Sequence, residues 1–275
     1  IKLVKSIKSM KVGVILNSDI AVASWQYNCI LKLKNTKIIF FVSNEENPNY
    51  QIKNNYIQNF IYYIINVVSI RQKKRKINFS SFKDYSVKSI SYKTDSKNWQ
   101  HFNSESINVI LQEKPDFIYK CGMKLLKISD QLKFIPILSH HHGDPSKFRG
   151  RPAGFYEILK GEKRLGQIVQ ILSNRLDAGQ IISYGETSIY PWSYRKTLND
   201  AYNASPLIFE KALKNLESGI IINKEKNGTN YKLPSNSLGI YFIFKEISNL
   251  IARIIYGIFY EKYWNVGYCK KFLIK

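Results

Sequence analysis

Acidic residues are scarce in this chain of 275: 20 Asp and Glu stand against 42 Lys and Arg, a formal charge of +22. An excess of that sign raises the question of a phosphate-bearing partner, because clustered Lys and Arg displace counterions from nucleic acid. Lysine far outnumbers arginine, however, and is spread along the whole chain among Asn and Ile, which is the pattern of a genome-wide composition bias. Only Arg71-Gln72-Lys73-Lys74-Arg75-Lys76 is a true basic cluster, and such runs usually lie in solvated loops. A nucleic-acid partner is therefore disfavoured, while a weaker attraction to anions or a membrane surface fits the charge. Cysteine is scarce as well. Cys29, Cys121 and Cys269 are far apart and odd in number, which excludes a disulfide framework and a zinc knuckle and fits a reducing cytoplasm.

Long uninterrupted apolar runs are also missing. Ile57 to Ile70 is shorter than the ~20 residues of a bilayer span and contains Gln58, Asn59 and Asn66, so it is expected to be a core-facing helix. Leu238 to Tyr260 is longer but is broken by Lys245, Glu246 and Arg253. That pattern predicts an amphipathic helix packed on the domain or lying on a membrane as a peripheral contact. Within 236–275 the chain ends shortly after Trp264-Asn265-Val266-Gly267, so this stretch is expected to be a helical extension and the truncated start of a further module.

With 44% hydrophobic and 14% aromatic residues, the chain has enough apolar surface for one sizeable core plus a smaller appendage. Lys11 to Leu16 and Ile38 to Val42 read as buried strands flanking a helix over Val22 to Leu33, the βαβ unit of a parallel α/β sheet. No G-x-G-x-x-G follows the first strand, which removes support for a dinucleotide. A helix over Ser104 to Glu113 precedes Pro115-Asp116-Phe117-Ile118, a further strand start, and a turn at Cys121-Gly122-Met123. Phe134 to Leu138 then leads into Ser139-His140-His141-His142-Gly143-Asp144. In an open α/β sheet, ligands gather at the carboxyl ends of strands, where the Gly122 turn and the histidines would both lie.

Three of the four histidines are consecutive, and side-chain alternation assigns them different directions. In extended chain His140 and His142 share one face and His141 takes the other. Three neighbours cannot then ligate one metal without a sharp bend. His140-x-His142-x-Asp144 could bring two imidazoles and a carboxylate together, which leaves a metal-dependent hydrolase open as an alternative. Ser24-Trp25-Gln26-Tyr27, at the opening of the first helix, has core packing as its default reading, as has Pro191-Trp192-Ser193-Tyr194 before a helix over Leu198 to Ser218.

After the histidines come Lys147-Phe148-Arg149-Gly150, a short helix Phe155 to Leu159, Gly161-Glu162, a strand-like run Gly166 to Leu172, and Leu176-Asp177-Ala178-Gly179. In that order and spacing the chain resembles the formyltransferase family, which includes methionyl-tRNA formyltransferase, sugar N-formyltransferases and glycinamide ribonucleotide transformylase. The resemblance covers about residues 10 to 200 and is strongest to bacterial members with a His-His-Gly-Asp motif. It implies a Rossmann-like domain over 10–220, mostly parallel with flanking helices, and 10-formyltetrahydrofolate as formyl donor. It also implies transfer to a primary amine of a small acceptor. His141 stands at the position of the family's catalytic His, Asp177 at its catalytic Asp, and Ser139 where the family carries Asn.

Gly122, Met123, Leu125, Leu126 and Gly179 correspond to the donor-binding loop and strand, and Arg149 and His142 to the acceptor side. Arg149 has a second reading, as a clamp on backbone carbonyls. The resemblance makes His141 a donor to the developing oxyanion and Asp177 its orienting carboxylate and the acceptor of the amine proton. Ser139 departs from the pattern: a hydroxyl donates one hydrogen bond but reaches less far than an amide. Loss of one oxyanion donor costs about 2.7–4 kcal/mol, so His140 or His142 would have to compensate, or the domain is a catalytically degenerate binding module. Residues 238 to 263 do not resemble the β-barrel of the tRNA enzyme, and relatives with the His-His-Gly-Asp motif continue past such a segment into a carbohydrate-active module. Both points imply a nucleotide-linked amino sugar rather than tRNA as acceptor.

Overall fold

The structure is a computed structural model that describes residues 9–46, 56–69, 73–174, 179–259 and 273–274. Asp177 and the Trp264 to Gly267 segment lie outside the described residues. The chain opens with β1 (Lys11–Asn17), β2 (Ala21–Ala23) and α1 (Ser24–Leu31), followed by β3 (Lys37–Glu45), α2 (Phe60–Ser69) and β4 (Lys74–Lys76). A hairpin of β5 (Asp84–Thr94) and β6 (Trp99–Phe102) precedes α3 (Ser104–Glu113), β7 (Phe117–Lys120), β8 (Leu125–Leu126) and β9 (Ile137–His141). Then come β10 (Phe148–Gly150), α4 (Phe155–Leu159), β11 (Arg164–Ile171), β12 (Gln180–Ser188) and α5 (Tyr194–Ser218). The last elements are β13 (Thr229–Tyr231), α6 (Asn236–Phe259) and β14 (Leu273–Ile274).

Among the described residues ten strands form one sheet in the order β14-β12-β11-β9-β7-β1-β3-β5-β6-β8. Its centre, β9-β7-β1-β3-β5, is parallel throughout, and β11 and β12 add antiparallel on one side. The chain builds outward from β1 through β3 to β5 and then returns to β7 and β9 on the other side. The order therefore reverses between β1 and β7, and a crevice opens at their carboxyl ends.

The sheet is buried on both faces, which is why its strands read as continuous apolar runs. Val12, Val14 and Leu16 face one way with Ile38, Phe40 and Tyr119, packing under α1 and α5. Ile15, Ile39, Phe41 and Ile118 face the other, against Ile107 and Ile110 of α3. Helix α3 begins where the sequence places it because the Asn103 side chain accepts from the Ser106 N–H at 2.8 Å, an N-cap bond. In α5, Ser193 caps in the same way, and Gly219, with φ +70°, terminates the helix in the left-handed region. A third cluster joins Phe155 of α4, Tyr194 and Leu198 of α5, Tyr62 of α2 and Phe242 of α6.

Two expectations need correction. Helix α2 does not face the core over its length: Tyr62, Ile65 and Ser69 are buried, while Phe60, Ile64, Val67 and Val68 are exposed. The helix expected over Val22 to Leu33 starts later, since Ala21–Ala23 pairs with Lys74–Lys76 as a small antiparallel ladder.

Candidate functional site

The carboxyl ends of β1, β7 and β9 meet at the crevice. At the first of these ends Gly122 folds directly onto β1: its N–H donates to the Ile15 carbonyl at 2.7 Å, and a Cβ there would sit 2.6 Å from the Asn17 nitrogen. The next amide, that of Met123, donates to Asn17 Oδ1 at 2.9 Å, and Gln26 Nε2 to the Cys121 carbonyl at 3.1 Å. The turn read from Cys121-Gly122-Met123 is thus fixed by backbone contact. Leu125 and Leu126 follow as β8 beside Trp99 and Gln100.

Strand β9 ends at His141, and its alternation is the expected one. The rings of His140 and His142 stack with centroids 4.9 Å apart and an interplanar angle of 19°. Trp25 of α1 stands edge-on to both, at 5.1 and 4.9 Å, so the aromatic residue read as core packs on the core cluster and backs the two rings. His140 Nε2 lies 3.2 Å from Gln167 Oε1, and His142 Nε2 lies 2.9 Å from Ser205 Oγ. Ser205 Oγ is also 3.2 Å from Gln167 Oε1, while Gln167 Nε2 donates to the Ala201 carbonyl at 3.1 Å. His141 takes the other direction, against Gly143, where a Cβ would come within 2.7 Å of its Nε2.

Consecutive residues of this run line two clefts. Ser139 and His140 border an open cleft of about 420 Å³ together with Leu125, Leu126, Gln170 and Lys124. His141 and His142 border a smaller one, of about 200 Å³, with Arg149, Arg151, Glu157 and Tyr231. Gly179 stands behind the first: its N–H donates to Gln170 Oε1 at 3.1 Å, and a Cβ would meet the Ile171 carbonyl at 2.0 Å. Arg149 is a clamp on the main chain, its Nε donating to the Gly228 carbonyl at 2.7 Å, and it lines the smaller cleft as well. The pairing of Phe148–Gly150 with Thr229–Tyr231 brings Tyr231 over Tyr156, with ring centroids 4.1 Å apart.

The metal-hydrolase alternative does not hold for its proposed ligands. Asp144 turns away from His140 and His142 to Lys224 Nζ at 3.0 Å and the Tyr184 hydroxyl at 3.2 Å, because the chain bends at Gly143. Among the described residues no group of three His, Cys, Asp or Glu side chains is arranged to hold a metal ion.

Sequence reading missed three buried polar residues here: Glu157, Gln167 and Gln170, all nearly inaccessible to water. Their signal was a polar side chain inside a short apolar helix, or at two positions of an apolar strand. Burial pushes the Glu157 carboxyl up to about 8, partly opposed by its bonds to backbone N–H groups. Burial pushes His140 down to about 4, partly opposed by the Gln167 bond, and holds His142 well below its usual value.

These groups act on stability in opposite senses. Glu157 stays protonated in the folded chain but ionises above about 4.5 when unfolded, so its contribution is lost as pH rises toward 8. The histidines are neutral when folded and protonated below about 6.5 when unfolded, so theirs is lost as pH falls from there toward 4. The two effects offset one another between about 4.5 and 6.5. Between pH 6.5 and 8 the carboxyl acts alone within this set, and stability should fall by about 2 kcal/mol. Urea midpoints at the two pH values check this, and Glu157→Gln should flatten the difference.

An α/β sheet whose order reverses beside β1, with an imidazole at the end of β9 and glycine-tight turns around it, defines a protein of the Rossmann-like class. Residues 36–206, more than half of the chain, match the family described as formyl transferase, and the chain belongs to that family. Glycinamide ribonucleotide transformylase 1 from Symbiobacterium toebii superposes with a TM-score of 0.50 and 13% identity, over 84% of this chain and 97% of its own. The phosphoribosylglycinamide formyltransferase of Anaplasma phagocytophilum gives 0.50 and 14%, over 82% and 100%. HypX from Aquifex aeolicus, at 0.49 and 14%, is matched by 84% of this chain, which spans 32% of HypX. At these identities the likeness is one of fold. No curated protein sequence matches the chain.

Proposed function

We propose that this protein transfers a formyl group from 10-formyltetrahydrofolate to the primary amine of a small acceptor, a nucleotide-linked amino sugar. The observation that carries the reading is the run Ser139 to His142, whose first two residues border one cleft and whose last two, His141 among them, border a second with Arg149 and Arg151. The first cleft suits the donor by its lining. Leu125, Leu126 and Leu172 offer apolar walls to a flat heterocycle, Ser139 and Gln170 offer polar edges, and Lys124 at the rim suits an anionic tail. Gly122, Met123 and Gly179 are assigned to donor binding by the resemblance, Gly179 through its bond to Gln170 of this lining. Bound there, the donor supplies a formyl carbon open to attack.

The chain's own residues do the rest. His141 donates to the formyl oxygen as negative charge develops on it, and the Ser139 hydroxyl is the second donor. Asp177 orients the imidazole and accepts the proton that the attacking amine gives up. The new C–N bond forms as the old one to N10 breaks, and N10 leaves with a proton. Arg149, Arg151 and His142 hold the acceptor, the guanidinium groups suiting its phosphates.

A second reading, a formyltransferase-like binding module without turnover, is favoured by the short side chain of Ser139. Thermal shift with a stable formyl-folate analogue, followed by turnover assays on a panel of nucleotide-linked amino sugars, separates the two. The expected result is stabilisation by the analogue and release of tetrahydrofolate with at least one amino sugar. Stabilisation without turnover would leave the binding module, and no stabilisation would sink both.

A further inference from the structure

Helix α6 carries its polarity the wrong way round for a helix lying on a domain in water, which normally turns its apolar stripe inward. Phe242 is buried, stacked on Phe155. Leu238 and Ile243 pack on the same cluster at the start of the helix, and the remaining residues turned toward the domain are polar. Lys245 Nζ donates to the Leu159 carbonyl at 3.0 Å, Glu246 Oε1 accepts from the Tyr194 N–H at 2.6 Å, and Asn249 Nδ2 donates to the Pro191 carbonyl at 3.1 Å. The Arg253 guanidinium lies 4.3 Å from the centre of the Trp192 ring. The outward face is Tyr241, Phe244, Ile247, Ile251, Ile254 and Ile255, with Phe244 67% exposed.

Helix α2 packs against the start of α6 through Ile61 and Gly239 and adds exposed Phe60, Ile64 and Val67, with Ile57 exposed in the turn that leads into it. Glu246 is the only acidic residue in the two helices, and it faces inward. A contiguous apolar face of this kind marks a binding surface. At 24 residues α6 is about 36 Å long, yet no helix among the described residues is long and apolar enough to cross a membrane.

Charge selects what covers the face. A second copy carries the same net charge of +22, so like charges would oppose its approach, whereas an anionic lipid leaflet complements that charge. The basic run Lys73-Lys74-Arg75-Lys76 begins four residues after α2 ends, and its strand β4 is exposed. We infer that α6 and α2 form a docking face that lies flat on an anionic lipid bilayer, apolar side chains in the headgroup region and lysines at its edge.

The test is flotation of the full chain with vesicles of phosphatidylcholine alone and of phosphatidylcholine with one third phosphatidylglycerol. The protein should float with the anionic vesicles, and at least tenfold less with neutral ones or at high salt. The double variant Phe244→Glu with Ile251→Glu should stay unbound while keeping its circular dichroism and any formyl-transfer activity. Lys73→Glu with Lys74→Glu should weaken anionic binding severalfold through charge alone. The inference is overturned if neither vesicle binds, if the apolar double variant binds as well as the parent, or if the parent sediments as a dimer that this variant makes monomeric. Because activity is read separately, failure of the proposed transfer reaction would leave the flotation result standing.

Discussion

Replacing His141 with alanine should lower kcat for formyl transfer by about 10²–10³ while leaving the circular dichroism unchanged. The estimate is the usual effect of removing one donor aimed at a developing oxyanion, about 2.7–4 kcal/mol. A structural role would show instead as a changed circular dichroism, since the alanine would then disturb the fold around the contacts through which Gln167 and Ser205 hold His140 and His142. The His141 side chain lies against Gly143, whose missing Cβ makes room for it, so the alanine removes a functional group and leaves the strand pairing to Ile168 intact. Initial rates with 10-formyltetrahydrofolate measure the effect. Retention of more than half the parent rate would remove His141 from the reaction.

Phe155→Ala should cost about 3–5 kcal/mol, the range for truncating a large buried aromatic side chain. Phe155 is inaccessible to solvent and stacks on Phe242 at 4.2 Å with an interplanar angle of 12°. It also meets Tyr62 and Tyr194 edge-on, at 6.1 and 6.3 Å, so one side chain ties α4 to α2, α5 and α6. Against a typical total of 5–15 kcal/mol this is a large fraction. Thermal unfolding should shift down by roughly 10 °C, and α6 should become the first site of limited proteolysis. A shift below about 2 °C would mean that the third core cluster contributes little to holding α6.

The elements legible in the sequence are those whose residues point to one structure at every level. Strands β1 and β3 read directly because burial on both faces leaves unbroken runs such as Val12 to Leu16. Helices α3 and α4 were read with the bounds they have, the first because its apolar residues share one face and Pro115 stops it. The hairpin of β5 and β6 was not legible. Most of β5 is exposed, so Lys88, Ser89 and Lys93 interrupt the apolar signal that Ile90 and Tyr92 carry. In the site, the alternation of the three histidines followed from strand geometry alone. What did not follow was the polar interior behind them: Gln167 and Ser205 are 38 residues apart, and only the packing of α5 on β11 brings them together. Glu157 did carry a local sign, its place inside the short apolar helix α4, but that sign does not separate a buried carboxyl from an exposed one.

One consequence concerns protons. The Gln167 amide gives its N–H to the Ala201 carbonyl, so its oxygen faces His140 and Ser205 and can only accept. His140 must then carry its hydrogen on Nε2. Ser205 has a single hydrogen, directed to Gln167 or to the Ala201 carbonyl, so its oxygen accepts from Nε2 of His142 as well. A single amide, itself outside the histidine run, thereby dictates the tautomer of His140 and leaves that ring with a bare Nδ1.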